Sequence, residues 1–142
     1  HHRPTNEFQA KFSMEYSMAV LLVRRRAYIP EYQDKQVNRP DVQAMLRKVN
    51  FYKSAIAEKA GYDKMTTVID IYLKNGKKIS GRGDFGKGSP MIPMSYEEVA
   101  DKFMGCAEFA KWPIAKSKAI IETVRNLEKL KDISKLSKLL SK

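Results

Sequence analysis

Cysteine, histidine and long apolar runs are the scarce features of this 142-residue chain. Its one thiol, Cys106, excludes an internal disulfide and a cysteine metal cage, and fits a reducing compartment, hence an expected cytoplasmic location. The two histidines stand together at the start as His1 and His2, in the form of a purification-tag remnant and at an end expected to be mobile. No histidine lies deeper in the chain for a metal-ligand spacing or a nucleophile–base pair, so no metal and no catalytic residue is assigned from the residues alone. The longest apolar run, residues 18–23, stops at Arg24-Arg25-Arg26, far short of the roughly 18 residues of a membrane span. A soluble protein without a membrane partner is the expectation.

What the chain has in excess is positive charge, 27 Lys and Arg against 16 Asp and Glu, a net of +11. Nucleic acid, an anionic membrane surface or a small anionic ligand would each suit it. The lysines are scattered as on a solvated surface, and the Arg24–Arg26 cluster ends an apolar helix, where cations complement the helix dipole. Tyr52, Tyr62, Tyr72, Phe85 and Trp112 fall on different elements, unlike an aromatic-lined nucleic-acid groove. The basic, leucine-striped carboxy-terminal helix lacks aromatic membrane anchors and reads better as packing on protein.

Periodicity then orders the elements. After an extended start, residues 13–26 read as a largely buried helix through Met14, Met18, Leu21 and Leu22. Residues 28–37, with Pro30, read as loop; a short helix follows, with Pro40 near its start and Val42, Met45, Leu46 and Val49 as its stripe. Residues 50–53 are expected as a short strand, and residues 54–64 are ambiguous. The clearest β signal is residues 66–74, Asn75-Gly76 and residues 77–83, an Asn-Gly hairpin. A turn with one extra residue and a glycine bulge sets Ile71 opposite Ile79, which is preferred over the two-residue turn that sets Tyr72 there. Ser95 with Glu98 forms a capping box for the next helix; Trp112-Pro113 breaks it, residues 114–130 form another, and Ile133 to Leu140 continue the stripe. The fold class is α+β, with a small antiparallel sheet flanked by helices. Its expected organisation is a lid-like domain over residues 1–94 and a helical segment over residues 95–142. A hairpin plus one strand makes a poor sheet, so a further strand supplied from upstream is expected, the chain being a fragment.

Other motifs fail on chemistry. The loop from Gly81 to Lys87 has phosphate-loop spacing, but Gly88 stands where a magnesium-binding hydroxyl is needed, and Pro90 and Pro93 block the following helix. Arg82-Gly83-Asp84 matches an adhesion tripeptide by letters only. Cys106 is read as a packing residue, and Glu97 with Glu98 as a helix first turn.

Five ordered segments carry a resemblance. Arg3-Pro4 followed by Ala10-Lys11-Phe12-Ser13-Met14-Glu15-Tyr16-Ser17-Met18-Ala19 is similar to a signature of the MmgE/PrpD family. So are Asn38-Arg39-Pro40-Asp41-Val42 with Leu46, Lys48 and Val49; Val68 to Gly76; Lys87-Gly88-Ser89-Pro90-Met91-Ile92-Pro93-Met94-Ser95 with Glu98 to Phe103; and Val124 to Leu140. Gln9 and Ile92 depart from the family's Glu and Asn. The resemblance implies part of a lyase such as a 2-methylcitrate dehydratase, cis-aconitate decarboxylase or iminodisuccinate epimerase, with no metal or organic cofactor. In that frame this chain is the lid with its terminal helices, the main acid–base groups lie upstream, and the fragment alone is inactive. The implied partners are a small polycarboxylate, an upstream large helical domain and a second copy. Arg3, Lys11 and Lys87 are the expected substrate-proximal cations, because they lie in the family-like segments and can pair with carboxylates. The alternative is a non-enzymatic basic module for nucleic acid or an acidic partner.

Overall fold

In the computed structural model, residues 1–141 are described, and they form eight α-helices and one two-stranded antiparallel sheet, an α+β architecture. The chain divides into two compact units, residues 1–51 with 96–142, and residues 52–95.

The first unit begins with α1, Glu7–Lys11, which Asn6 caps by accepting from the Gln9 amide. The extended start expected there is therefore interrupted by a helical turn; five residues are too few to show an apolar period. Ser13 then caps α2, Met14–Arg24, by accepting from the Tyr16 amide. This helix ends two residues before the sequence-based boundary. Arg25 adopts a left-handed conformation, φ 60°, and its N–H donates to Leu21.

The expected loop at residues 28–37 is instead a 3-10 turn, Ile29–Tyr32, followed by α3, Asp34–Val37. Pro30 sits at the start of that turn, where its missing N–H costs nothing. Glu31 caps it by accepting from the Tyr28 amide at 3.0 Å. Pro40 opens α4, Pro40–Leu46, in the same way.

The core of this unit is Ala10, Tyr16, Ala19, Val20, Val37, Val42 and Leu46, all fully buried. It joins α1, α2, α3 and α4, and the one polar side-chain group among these seven residues is bonded: the Tyr16 hydroxyl donates to the Glu31 carbonyl at 2.5 Å. Burial pushes the Tyr16 phenol up to about 12, with the nearby Tyr32 and Glu31 adding to the effect.

The later helices of the unit are α6, Tyr96–Phe109; α7, Ile114–Arg125; and α8, Ser134–Leu140. The stripe expected to run to residue 130 breaks at Asn126, which donates to the Glu122 carbonyl and side chain, and a 3-10 turn takes over at Leu127–Lys129. The Tyr96 hydroxyl donates to Ile121, and Arg125 lies over the Tyr96 ring while pairing with Glu97. Phe103 meets Trp112 edge to face at 6.4 Å, and Lys116 lies over that indole.

The second unit contains α5, Ala55–Lys59, and the strands β1, Thr67–Tyr72, and β2, Lys78–Gly83. The register sets Ile71 against Ile79 and Tyr72 against Lys78. Leu73 donates to Lys77, and Gly76 at φ 80° supplies the left-handed residue of the turn. Residues 50–53 do not form the expected third strand. Phe51 and Tyr52 are adjacent, so a strand would send the two rings to opposite faces, and both are exposed instead. None of the residues in this unit is buried.

Candidate functional site

Two grooves flank α1 in the first unit. One, of about 580 Å3, is lined by His1, Asn6, Glu7, Phe8, Gln9, Lys11 and Asp34. The other, of about 390 Å3, runs along the α1–α2 junction between His2, Lys11, Phe12, Glu15 and Phe51. The turn of chain between the two helices positions this second groove. Ser13 is buried as the cap of α2, which places Glu15 in the first helical turn and faces it inward.

The Glu15 side chain is only 5% exposed, and His2 Nδ1 lies 2.5 Å from its Oε1 while the His2 ring itself is 79% exposed. Burial raises the Glu15 carboxyl, but the His2 hydrogen bond and the surrounding positive charge outweigh it and hold the group below its usual value.

Lys11 reaches the same groove, with its Nζ 2.6 Å from Glu7 Oε1 one helical turn back. Arg3 is turned elsewhere: its Nη1 donates to the Leu46 carbonyl at 2.6 Å, satisfying the carboxy-terminal end of α4. Lys87 is exposed in the second unit, on the loop where Gly88 has φ 89° and Ser89 bridges to Ile92. Of the three expected cations, the structure thus places Lys11 on a groove, ties Arg3 into the fold and leaves Lys87 on a loop.

The two departures from the family pattern have visible roles. Gln9 Oε1 accepts from the Thr5 amide at 3.0 Å, a bond that needs only an oxygen. Ile92 takes part through its backbone, accepting from Gly88 and donating to Ser89.

Sequence reasoning missed Glu15 and His2 as a pair. They are thirteen residues apart with α1 between them, so no helical or strand period connects them. It also missed Glu31, whose buried carboxylate binds Arg26 at 2.7 Å and caps the turn that receives Tyr16. Glu31 stands at the third position of the turn, from which a carboxylate can reach back to the Tyr28 amide as in a capping box, and that spacing was the available signal.

Among the described residues, no group of three or more His, Cys, Asp or Glu side chains is placed to hold a metal ion. Among the described residues, no helix is long and apolar enough to cross a membrane.

Residues 1–129 match the MmgE/PrpD C-terminal domain. The chain is also 30% identical over 138 residues to the human protein named cis-aconitate decarboxylase, and 30% identical over 143 residues to its mouse counterpart. Each alignment takes in 96% of this chain and 28% of the relative, so the chain spans less than a third of the length of these proteins.

Proposed function

The chain belongs to the MmgE/PrpD family, and from that premise we propose that it is the closing, lid-type portion of a lyase acting on small di- and tricarboxylates. The observation that carries this reading is the similarity to cis-aconitate decarboxylases along 96% of the chain. Dehydration of a 2-methylcitrate-like substrate is the second reaction to assay, since both reactions handle a small tricarboxylate of the same charge.

The physical contribution of this portion is positive potential and closure. A net charge of +11 raises the local concentration of a polyanionic substrate, and a lid that excludes water strengthens each ion pair formed beneath it. Lys11 and Lys87 remain the cations best suited to meet substrate carboxylates, whereas the Arg3 contact to Leu46 gives it a supporting role. The principal acid–base groups and a large helical domain are assigned to the part of the protein outside this segment. The exposed apolar residues Val99, Ile114, Leu127 and Ile133 on the terminal helices suit packing against that domain or a second copy.

The test is an assay of cis-aconitate decarboxylation and 2-methylcitrate dehydration by the full-length protein and by residues 1–142 alone. Turnover by the full-length protein with none from the segment is expected. Turnover by the segment would overturn the assignment of the main catalytic groups elsewhere, and salt-sensitive nucleic-acid binding without turnover would favour a basic binding module.

A further inference from the structure

Of the five asparagines in the chain, only Asn75 precedes a glycine. Gly76 has no side chain to shield its backbone nitrogen, which leaves that nitrogen free to approach the carbon of the Asn75 side-chain amide. Three of the other asparagines are tied down: Asn6 accepts from Gln9 as a helix cap, Asn38 donates to Thr5 and Asp34, and Asn126 donates to Glu122. Asn50 is followed by the bulky Phe51. Asn75 is exposed, and its Oδ1 accepts from the Lys77 amide at 3.1 Å, a bond in which Nδ2 takes no part. That N–H points at the oxygen on which negative charge gathers when Cγ is attacked. Lys74, Lys77 and Lys78 flank the turn in sequence, and their charge favours both a deprotonated backbone amide and the oxyanion. The opposing feature is the Gly76 N–H, which donates to the Leu73 carbonyl at 3.0 Å. This bond lies in a unit with no buried residue, and nothing stands within 4 Å of a Cβ built on Gly76, so the turn opens at low cost.

We propose that Asn75-Gly76 is a site of spontaneous covalent modification, at which Asn75 converts to isoaspartate through a cyclic imide and unlatches the hairpin. The Gly76 nitrogen gives its proton to solvent and attacks Asn75 Cγ. A nitrogen–Cγ bond forms, the Cγ–Nδ2 bond breaks, and Nδ2 takes a proton and leaves as ammonia. Water then opens the succinimide ring at either carbonyl, giving aspartate or isoaspartate. Water is the one co-reactant, and the reaction is independent of any activity of the whole protein. Isoaspartate routes the backbone through Cβ and lengthens it by one atom between residues 75 and 76. The Leu73–Lys77 bond and the pairing of Ile71 with Ile79 both depend on the present length of the turn. The modification therefore loosens β1 and β2 and leaves the helices of the first unit as they are.

The experiment incubates the purified full-length protein in buffer at physiological temperature and follows isoaspartate by peptide mass mapping and isoaspartyl methyltransferase labelling. Isoaspartate is expected at Asn75 ahead of the other four asparagines of this segment. Its rate should rise roughly tenfold per pH unit above neutrality, because the attacking nitrogen is the deprotonated amide. Asn75→Gln changes an exposed turn side chain and requires a larger ring for the same attack, so it is expected to abolish the signal. In the modified fraction, amide exchange should be faster in β1 and β2 and unchanged in α2. Absence of isoaspartate at Asn75, or a rate no faster than at Asn50, would overturn the site. A rate indifferent to pH would overturn the attack by the backbone nitrogen, and unaltered exchange in β1 and β2 after modification would overturn the unlatching.

Discussion

The helical region built from residues 1–51 and the hairpin region of residues 52–95 have similar local signals but opposite interiors. The first closes a core of seven fully buried side chains, Tyr16 among them, whereas the second buries none. Both contain well-formed elements, with capped helices in one and a registered hairpin in the other. Hydrogen-bonded secondary structure is thus separable from a core. A two-stranded hairpin has one apolar face, here Ile69, Ile71 and Leu73, and needs another layer to cover it.

The largest expected effect tests the buried side of this contrast. Leu46→Ala should cost about 2 to 5 kcal/mol in denaturant unfolding, because a fully buried leucine leaves a cavity when truncated. Ile79→Ala, at a side chain 54% exposed, should cost under about 1 kcal/mol by the same measurement. Equal costs would break the contrast and show that the hairpin has a core of its own.

Next comes Glu31→Ala, with an expected loss on the order of 1 to 3 kcal/mol, since the change frees the Tyr28 amide and the Arg26 guanidinium together. Near-UV circular dichroism of Tyr16 and Tyr32, whose rings meet at 5.5 Å, should change with it. An unchanged spectrum and midpoint would show that the turn holds without its cap.

At the hairpin turn, Gly76→Ala places a Cβ at φ 80°, with an expected cost of roughly 1 kcal/mol. The space around this glycine is open, so the cost is conformational rather than steric. Faster amide exchange confined to β1 and β2 is the expected readout, and equal acceleration throughout α2 would contradict it.

The smallest effect is the pH dependence of Glu15. Its folded-state value lies below the ordinary 4.5, so the folded form binds this proton more weakly than the unfolded one. Its stabilisation is therefore present above about 4.5 and fades as pH falls through the lower folded value. The stability gap between native protein and Glu15→Gln should shrink below pH 4.5. A gap that widens in acid would mean that His2 does not hold the carboxylate.

The two regions also differ in how readable they were. The spacing of Val42, Met45 and Leu46 reports a helix face, and Asn75-Gly76 reports a bulged turn, because each depends on neighbours within a few residues. Residues 28–37 misled the reading, since Pro30 marks both loops and the first turn of a helix, and only the packing of Tyr16 on Glu31 selects the latter. The candidate site was less legible still. Lys11 was visible through its family-like segment, yet the partner of His2 was hidden across an intervening helix.

By itself the sequence determined the local alphabet of this protein: the helix period of Val42, Met45 and Leu46, the Asn75-Gly76 turn and the family signature. Those are set by short-range sterics and hydrogen bonding. Only the tertiary structure decided that Arg3 serves the end of α4, that Glu15 is buried and that His2 meets it. Burial and charge pairing depend on which distant segments share the same space, and no spacing along the chain encodes that distance.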